Sequence, residues 1–460
     1  MQAAAVDNGI YTDGLMRQDA LSIAWPAALE GALLSIIGTV DTIMVKQVHE
    51  YAIASVNLTS QPRMILLILA QALCVGTTAL VSRRRGEDDR QGANDALSLS
   101  MLLITCVGIF IALTGFFLAK PIIRLAGGDQ DTTAMAVDYL RVVALGLPFN
   151  CWNLCMCAAL RATGNTRVTM VTNMSANIVN VIMNYCLIGG HFGFPALKVK
   201  GAALATDIGS MVACMISLYV ITRRSGYLKL RPRFRGFDKR TIVGLLKVGS
   251  SSIAESAALR IGFFMNNRLI AGINADALTS NTIVGQVTSL SFCLGDGVAT
   301  AGATLTGVSL GEKRKDRARG YARICSQMGF IVSCALIALF FFLRKDLARL
   351  FTDKDVVITG ASMAFIVILF GIIPQNGRVI YSGCLRGAGD VRFVALCSLI
   401  SVTILRPLLT WLLCYPLNRA FPRFYFAYTG PWIAFVIDAY VRTILMYRRV
   451  RAGKYLDIKL

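Results

Sequence analysis

Four asparagines, Asn173, Asn177, Asn180 and Asn184, recur at spacings of 4, 3 and 4 inside one hydrophobic block. A helical period of 3.6 residues puts all four on one face. Neutral amides in that array offer carbonyl oxygens to a cation and N–H groups to a polar molecule. The stripe therefore suits the wall of a polar cavity. Hydrogen bonds to a neighbouring helix would use the same groups, at about 0.5–2 kcal/mol per contact. Thr206 and Asp207, one block further on, add oxygens that can face the same space. Asp41 follows Glu30 by eleven residues, about three turns, so both carboxylates can point to one broad side of a helix. Asp41, Asn180 and a residue near 184 can together hold a proton or a small hard cation, and a bound cation competes with the proton for the same charge.

A second set of ionisable groups lies in later hydrophobic blocks: Glu255, Arg260, Arg268, Asp296, Arg378 and Arg406, with Asn266 and Asn267 beside them. Charged groups in such blocks face a protein interior or a water-filled space. Glu255 is either a cation site or half of an ion pair, for which Arg260 or Arg378 is the expected partner. Asp296 and Arg378 are candidate charges of the same space. Pro26 removes a backbone hydrogen bond and can kink its helix. Two histidines, His49 and His191, give a zinc or haem site little to draw on. No metal and no cofactor is expected. Cys151, Cys155 and Cys157 read as small packing residues.

The elements that carry these residues are long and apolar. Of 460 residues, 55% are hydrophobic and only 16% charged, with a mean hydropathy of +0.60. A soluble chain of this length would carry more charge. About 20 apolar residues cross a bilayer as a helix, and the blocks predict twelve spans near 22–45, 52–80, 96–119, 133–159, 169–190, 202–222, 242–270, 276–306, 321–343, 357–384, 393–415 and 430–447. The first twenty residues carry Asp7, Asp13 and Asp19 against Arg17, so the first block reads as a span and not as a cleaved leader. Basic residues cluster on one side, at Arg83–Arg85, Arg161 with Arg167, 223–240, 313–323, Arg386 with Arg392 and the tail from Arg448. The positive-inside rule puts that side and both termini in the cytoplasm. The net charge of +21 is then spread over loops, which excludes a nucleic-acid face. The basic stretch 223–241 reads as a linker against anionic headgroups.

Adding 225 to a residue number in the first half repeatedly reaches a like residue in the second. Glu30 meets Glu255, Gln61 meets Gln286, and Gly86-Glu87 meets Gly311-Glu312. Lys120, Arg124 and Leu125 meet Lys345, Arg349 and Leu350, and Gly146 meets Gly371. Leu160-Arg161, Gly164 and Arg167 meet Leu385-Arg386, Gly389 and Arg392. Register kept through loops, where insertions are tolerated, indicates duplication. An even number of spans per half makes it a parallel repeat, and two such bundles suit alternating access.

Several landmarks carry a family resemblance: Pro26 to Glu30 followed by Asp41 to Val45; Gly76 to Val81; Asp138 to Arg141 with Gly146 and Pro148; Ala159 to Arg167 with its echo Leu385 to Arg392; and Gly201 to Thr206. In order and spacing the chain resembles the multidrug and toxic compound extrusion transporters, and most their bacterial DinF-like branch, from about Ala20 to Arg448. The resemblance implies an all-α polytopic membrane protein of twelve transmembrane helices, in two parallel-repeat six-helix lobes forming a V-shaped cleft. It implies lobes at 1–222 and 242–460 joined by the linker 223–241, in the bacterial inner membrane. It also implies an H+- or Na+-coupled antiporter, not an enzyme, that exports organic cationic or amphipathic compounds, a monomer whose partners are its substrate and membrane lipid. By the resemblance the coupling or binding residues fall on Asp41, Asn180, Asn184, Thr206 and Glu255, and the bent first helix on Pro26; the stripe itself adds Asn177 to them. The family commonly has aspartate at position 184, where this chain has asparagine, and the tenth span, 358–385, lacks the carboxylate of relatives with a second-lobe Na+ site. Both departures favour Asp41 over Glu255 as the coupling group. A flippase for a lipid-linked, phosphate-bearing amphiphile is the alternative, because arginines inside a cleft suit phosphate.

Overall fold

The computed structural model describes residues 12–46, 52–126, 130–223, 227–230, 239–273, 275–349, 355–420 and 425–458. Among them twelve long helices follow one another: α1 (Asp13–Lys46), α2 (Ala52–Gly86), α3 (Arg90–Phe117), α4 (Gln130–Ala162), α5 (Thr166–Gly189), α6 (Val199–Thr222), α7 (Lys239–Ala271), α8 (Ala275–Gly311), α9 (Lys315–Arg349), α10 (Asp355–Gly387), α11 (Val391–Ala420) and α12 (Phe426–Arg451). Each expected span has its helix. A short helix, Ala119–Leu125, follows α3. Eight of the twelve, α2, α3, α4, α6, α7, α9, α10 and α11, contain stretches long and apolar enough to cross a bilayer. The asparagine stripe lowers the hydropathy of α5. Within α1, the side chains beyond Ser35 lie outside the described residues.

The outer faces are apolar. Leu113, Phe117, Ile182, Phe264, Phe342, Phe370 and Ile400 are each at least half exposed. A helix that is apolar on its outward face has lipid as its solvent. Inside, polar and small residues face one another, as expected where helix association gains nothing from expelling lipid and rests on close packing and hydrogen bonds. All thirteen cysteines are free thiols, and Cys151, Cys155 and Cys157 are buried.

The chain divides into two compact units. One, the N-terminal unit, runs from Leu29 to Gly249; the C-terminal unit is Ser250–Lys459 together with Met1–Ala28. Helix α1 thus gives its first half to the C-terminal unit, where Met16, Ala20, Ile23 and Ala24 pack among Val298, Ala301, Leu305 and Tyr321. Pro26 sits two residues before the change of unit. Within the N-terminal unit α4 is central, packing on α2, α3 and α6; within the C-terminal unit α10 packs in the same way on α8, α9 and α12.

The duplication extends to backbone detail. Asp88 and Lys313, at φ 54° and 59°, occupy the left-handed region in corresponding turns, as do Gly164 and Gly389 at 83° and 90°. In each of these turns an N–H closes on the carbonyl five residues back: Asp89 on Arg84, Arg314 on Ser309, Asn165 on Leu160 and Asp390 on Leu385. A residue in the left-handed conformation after a helix lets the orphan carbonyls of its last turn be satisfied in this way, and glycine does so without a Cβ clash.

Helix α11 departs from the regular pattern. It passes through two π-helical segments, Leu399–Leu405 and Leu413–Leu417, separated by Arg406–Leu412. Pro407 and Pro416 lie beside and within them and cannot donate the regular i→i−4 hydrogen bond.

Candidate functional site

A polar cavity of about 470 Å³ lies wholly within the N-terminal unit. Asn173, Asn177, Asn180 and Asn184 all line it from α5, Thr206 and Asp207 from α6, Asn150 and Asn153 from α4, and Arg63 from α2. The sequence-predicted residues Asn177, Asn180, Asn184 and Thr206 therefore share one wall. Asn184 Nδ2 donates to Asn180 Oδ1 at 3.4 Å, and Asn180 Nδ2 to Thr206 Oγ1 at 3.5 Å. Asn153 Nδ2 donates to Asn173 Oδ1 at 3.0 Å, and Ser217 Oγ to Asn153 Oδ1 at 2.8 Å. The two readings of the stripe are both realised: the amides bond neighbouring helices and still line open space. The side chain of Asp41 lies outside the described residues.

Asp207 is the group that sequence reasoning placed only loosely. It is 7% exposed, lines the cavity, and has neither a hydrogen bond nor an ion pair among the described residues. Arg63, which lines the cavity from α2, likewise makes none among the described residues. The backbone of α4 makes room for the carboxylate: a Cβ at Gly146 would sit 1.9 Å from Asp207 Oδ1. The repeat offers no signal for Asp207, because its counterpart at the 225 offset is Trp432.

Glu30 is closed off from chemistry. Arg161 donates to it at 3.3 Å, Thr169 at 3.2 Å and Asn173 at 2.6 Å. Glu255 is bound in the same manner: Arg386 Nη2 donates at 2.6 Å and Ser398 Oγ at 3.2 Å. The sequence separations are 131 and 143 in both halves. This corrects the expected partner of Glu255, which is Arg386 and not Arg260 or Arg378. Arg161 and Arg386 sit one turn before the glycine turns, where the helix end is fixed, whereas Arg260 lies on the same helix as Glu255, five residues away. Arg378 Nε donates to Gln375 instead, at 3.1 Å.

The C-terminal unit has a charged interior where the N-terminal unit has its cavity. Asp438, fully buried, accepts from Ser401, Arg406 and Arg442. The Arg406 guanidinium also lies over the rings of Phe263 and Phe435, at 5.3 and 4.9 Å. At the 225 offset, Arg378 and Asp438 correspond to Asn153 and Ala213 of the cavity wall, and Arg442 to Ser217, which donates to Asn153 from behind it. Asp296 is on α8, and its backbone carbonyl accepts from Thr300. Among the described residues no group of three histidine, cysteine, aspartate or glutamate side chains could hold a metal ion.

The family model for MatE matches the chain twice, over residues 26–186 and 252–412, within one residue of the spacing that relates the halves. The chain belongs to the MatE family. It is a secondary transporter of the multidrug-transporter superfamily, a multi-pass membrane protein and not an enzyme. Among relatives, it is 28% identical over 438 residues to the uncharacterized transporter YisQ of Bacillus subtilis, covering 94% of this chain and 93% of that one. It is 26% identical over 446 residues to a probable multidrug resistance protein NorM of Thermotoga maritima, covering 96% and 93%. Its fold matches a MOP superfamily transporter from Pyrococcus furiosus with a TM-score of 0.88 at 20% identity, covering 96% and 97%; for that protein a reverse polarity of the binding pocket is reported to suggest a different function.

Proposed function

We propose that the protein is a DinF-like antiporter of the bacterial inner membrane, with both termini cytoplasmic, that exports organic cationic or amphipathic compounds in exchange for H+ or Na+. The observation that carries this reading is the amide-lined cavity of about 470 Å³ in the N-terminal unit. A cavity of this size suits a small organic molecule. Its wall of Asn177, Asn180, Asn184 and Thr206 offers oxygens to a cation without a fixed positive charge on that face. In this reading Asp41 supplies the coupling carboxylate, the lobes divide at the basic linker 223–241, and Pro26 is the point at which α1 bends. The protein works as a monomer, with its organic substrate and membrane lipid as partners and no nucleic acid. Glu255, held by Arg386 and Ser398, takes no part in ion binding.

Efflux from proteoliposomes under imposed H+ and Na+ gradients tests the proposal. The parent is expected to export organic cations in response to one of the two gradients, and Asp41→Asn to lose at least about tenfold in rate, the loss of roughly 1.4 kcal/mol of coupling. Parent-like transport by Asp41→Asn under every gradient would remove Asp41 from the mechanism. A second reading, flipping of a phosphate-bearing amphiphile, draws on Arg378, whose side chain among the described residues donates to a neutral carboxamide, that of Gln375. That reading predicts that Arg378→Gln abolishes lipid-linked substrate transfer and leaves efflux of cations unchanged.

A further inference from the structure

Among the described residues, one carboxylate of the cavity has no hydrogen-bonded or ion-paired partner. Asp207 is buried on α6, faces the open volume, and has no hydrogen bond or ion pair among the described residues. Two other carboxylates of the N-terminal unit are committed elsewhere: Glu30 to Arg161, Thr169 and Asn173, and Asp138 to Lys200 at 3.1 Å. The charged and titratable groups facing Asp207 from the packed helices are few. Arg63 and Tyr139 line the cavity from α2 and α4, and α5 presents four asparagines and Ala176 there, none of them titratable. Arg63 acts on Asp207 through space but forms no ion pair with it within 4.0 Å. A carboxylate removed from water and left without a partner is unfavourable as a bare charge, so it is neutralised by a proton or by a cation from solution.

We infer that Asp207 is the exchange group of the cavity, which carries a proton when the cavity is empty and gives it up to hold the positive charge of an organic monocation. The step balances: the protonated carboxyl and the incoming cation become a carboxylate–cation pair and one released proton. The amides of Asn150 and Asn177, which make no side-chain hydrogen bond among the described residues, complete the polar lining around the pair. Gly146 keeps the space that the carboxylate occupies. The inference rests on the reading of the cavity as the transport site, and it adds an ionisable residue on α6 to one already proposed on α1.

The test uses the full chain in lipid nanodiscs with tetraphenylphosphonium, a permanent monocation with no titratable group. Binding to the parent is expected to tighten by about tenfold per pH unit while Asp207 is protonated, the slope of one proton exchanged per cation. Calorimetry in buffers of different ionisation enthalpy should count that proton. Asp207→Asn should bind with no proton release and no slope, and Asp207→Glu should keep both. An infrared difference spectrum of the parent should show a protonated carboxyl band lost on binding, a readout that needs no variant to fold. Retention of the slope by Asp207→Asn, or its loss in Asp41→Asn alone, overturns the role of Asp207 and leaves the exporter reading intact. A parent that binds no organic cation at any pH overturns both.

Discussion

Gly146 and Asp207 show how a residue-scale feature can be invisible in sequence yet decisive in space. The asparagine stripe was legible because its spacing of 4, 3 and 4 is itself the geometry of a helix face. Asp207 was expected in the same space together with Thr206, but its lack of a bonded partner was not legible, because that depends on surroundings from α2, α4 and α5. The partner of Glu255 was legible in principle, since Glu30 with Glu255 and Arg161 with Arg386 were both matched pairs; the repeat says that two residues correspond, and not that they touch. Gly146→Ala tests the fit at this scale. Its Cβ would overlap Asp207 Oδ1, so the carboxylate must swing away or the helices must part. Overpacking of this kind costs about 1–3 kcal/mol. Thermal unfolding of the variant should fall accordingly, and monocation binding should weaken with it, whereas Gly244→Ala, whose Cβ meets nothing closer than 3.5 Å, should leave both unchanged.

At the scale of the element, hydropathy located all twelve helices but could not register how α11 is wound. Ser401 and Arg406 are five residues apart, which in a regular α-helix places them on different faces. In the π-helical turn the Arg406 N–H bonds the Ser401 carbonyl, an i→i−5 step that brings both side chains to the same side. There they grip the same carboxylate, Asp438. The winding therefore has a reason in the charge it serves. Removing Asp438 would leave Arg406 and Arg442, each almost fully buried, without their counter-charge. Breaking a buried pair from one side costs about 3–5 kcal/mol. Asp438→Asn should lower the unfolding temperature sharply or abolish a monodisperse elution profile, while Ser401→Ala, which removes one hydrogen bond, should cost about 1 kcal/mol.

Across the whole molecule the repeat is a shared scaffold with divergent interiors. Each half ties the carboxylate of its first long helix to an arginine at the end of its fourth and to a polar residue of its fifth: Glu30 with Arg161 and Asn173, Glu255 with Arg386 and Ser398. Double-mutant cycles on Glu30/Arg161 and on Glu255/Arg386, read by thermal unfolding, should give coupling of about 0.5–3 kcal/mol in both halves. Coupling in only one would mean that the second latch has become a relic. Away from the latches, the halves no longer agree. The positions that are Asn153, Ala213 and Ser217 in one are Arg378, Asp438 and Arg442 in the other, so duplication preserved the frame and released the interior. This is why the fold could be read from one sequence and the site only in part.

The first half of α1 belongs with residues 250–459 although residues 29–249 lie between them in sequence. A break in the basic stretch 224–238 would therefore not yield two self-sufficient pieces. The amino-terminal fragment would carry Met16, Ala20, Ile23 and Ala24 away from the packing they need, and the carboxy-terminal fragment would lack the strip that closes its core. In the order of synthesis, this strip is made before the residues it packs against. Folding of the protein cannot finish until the second half has been made.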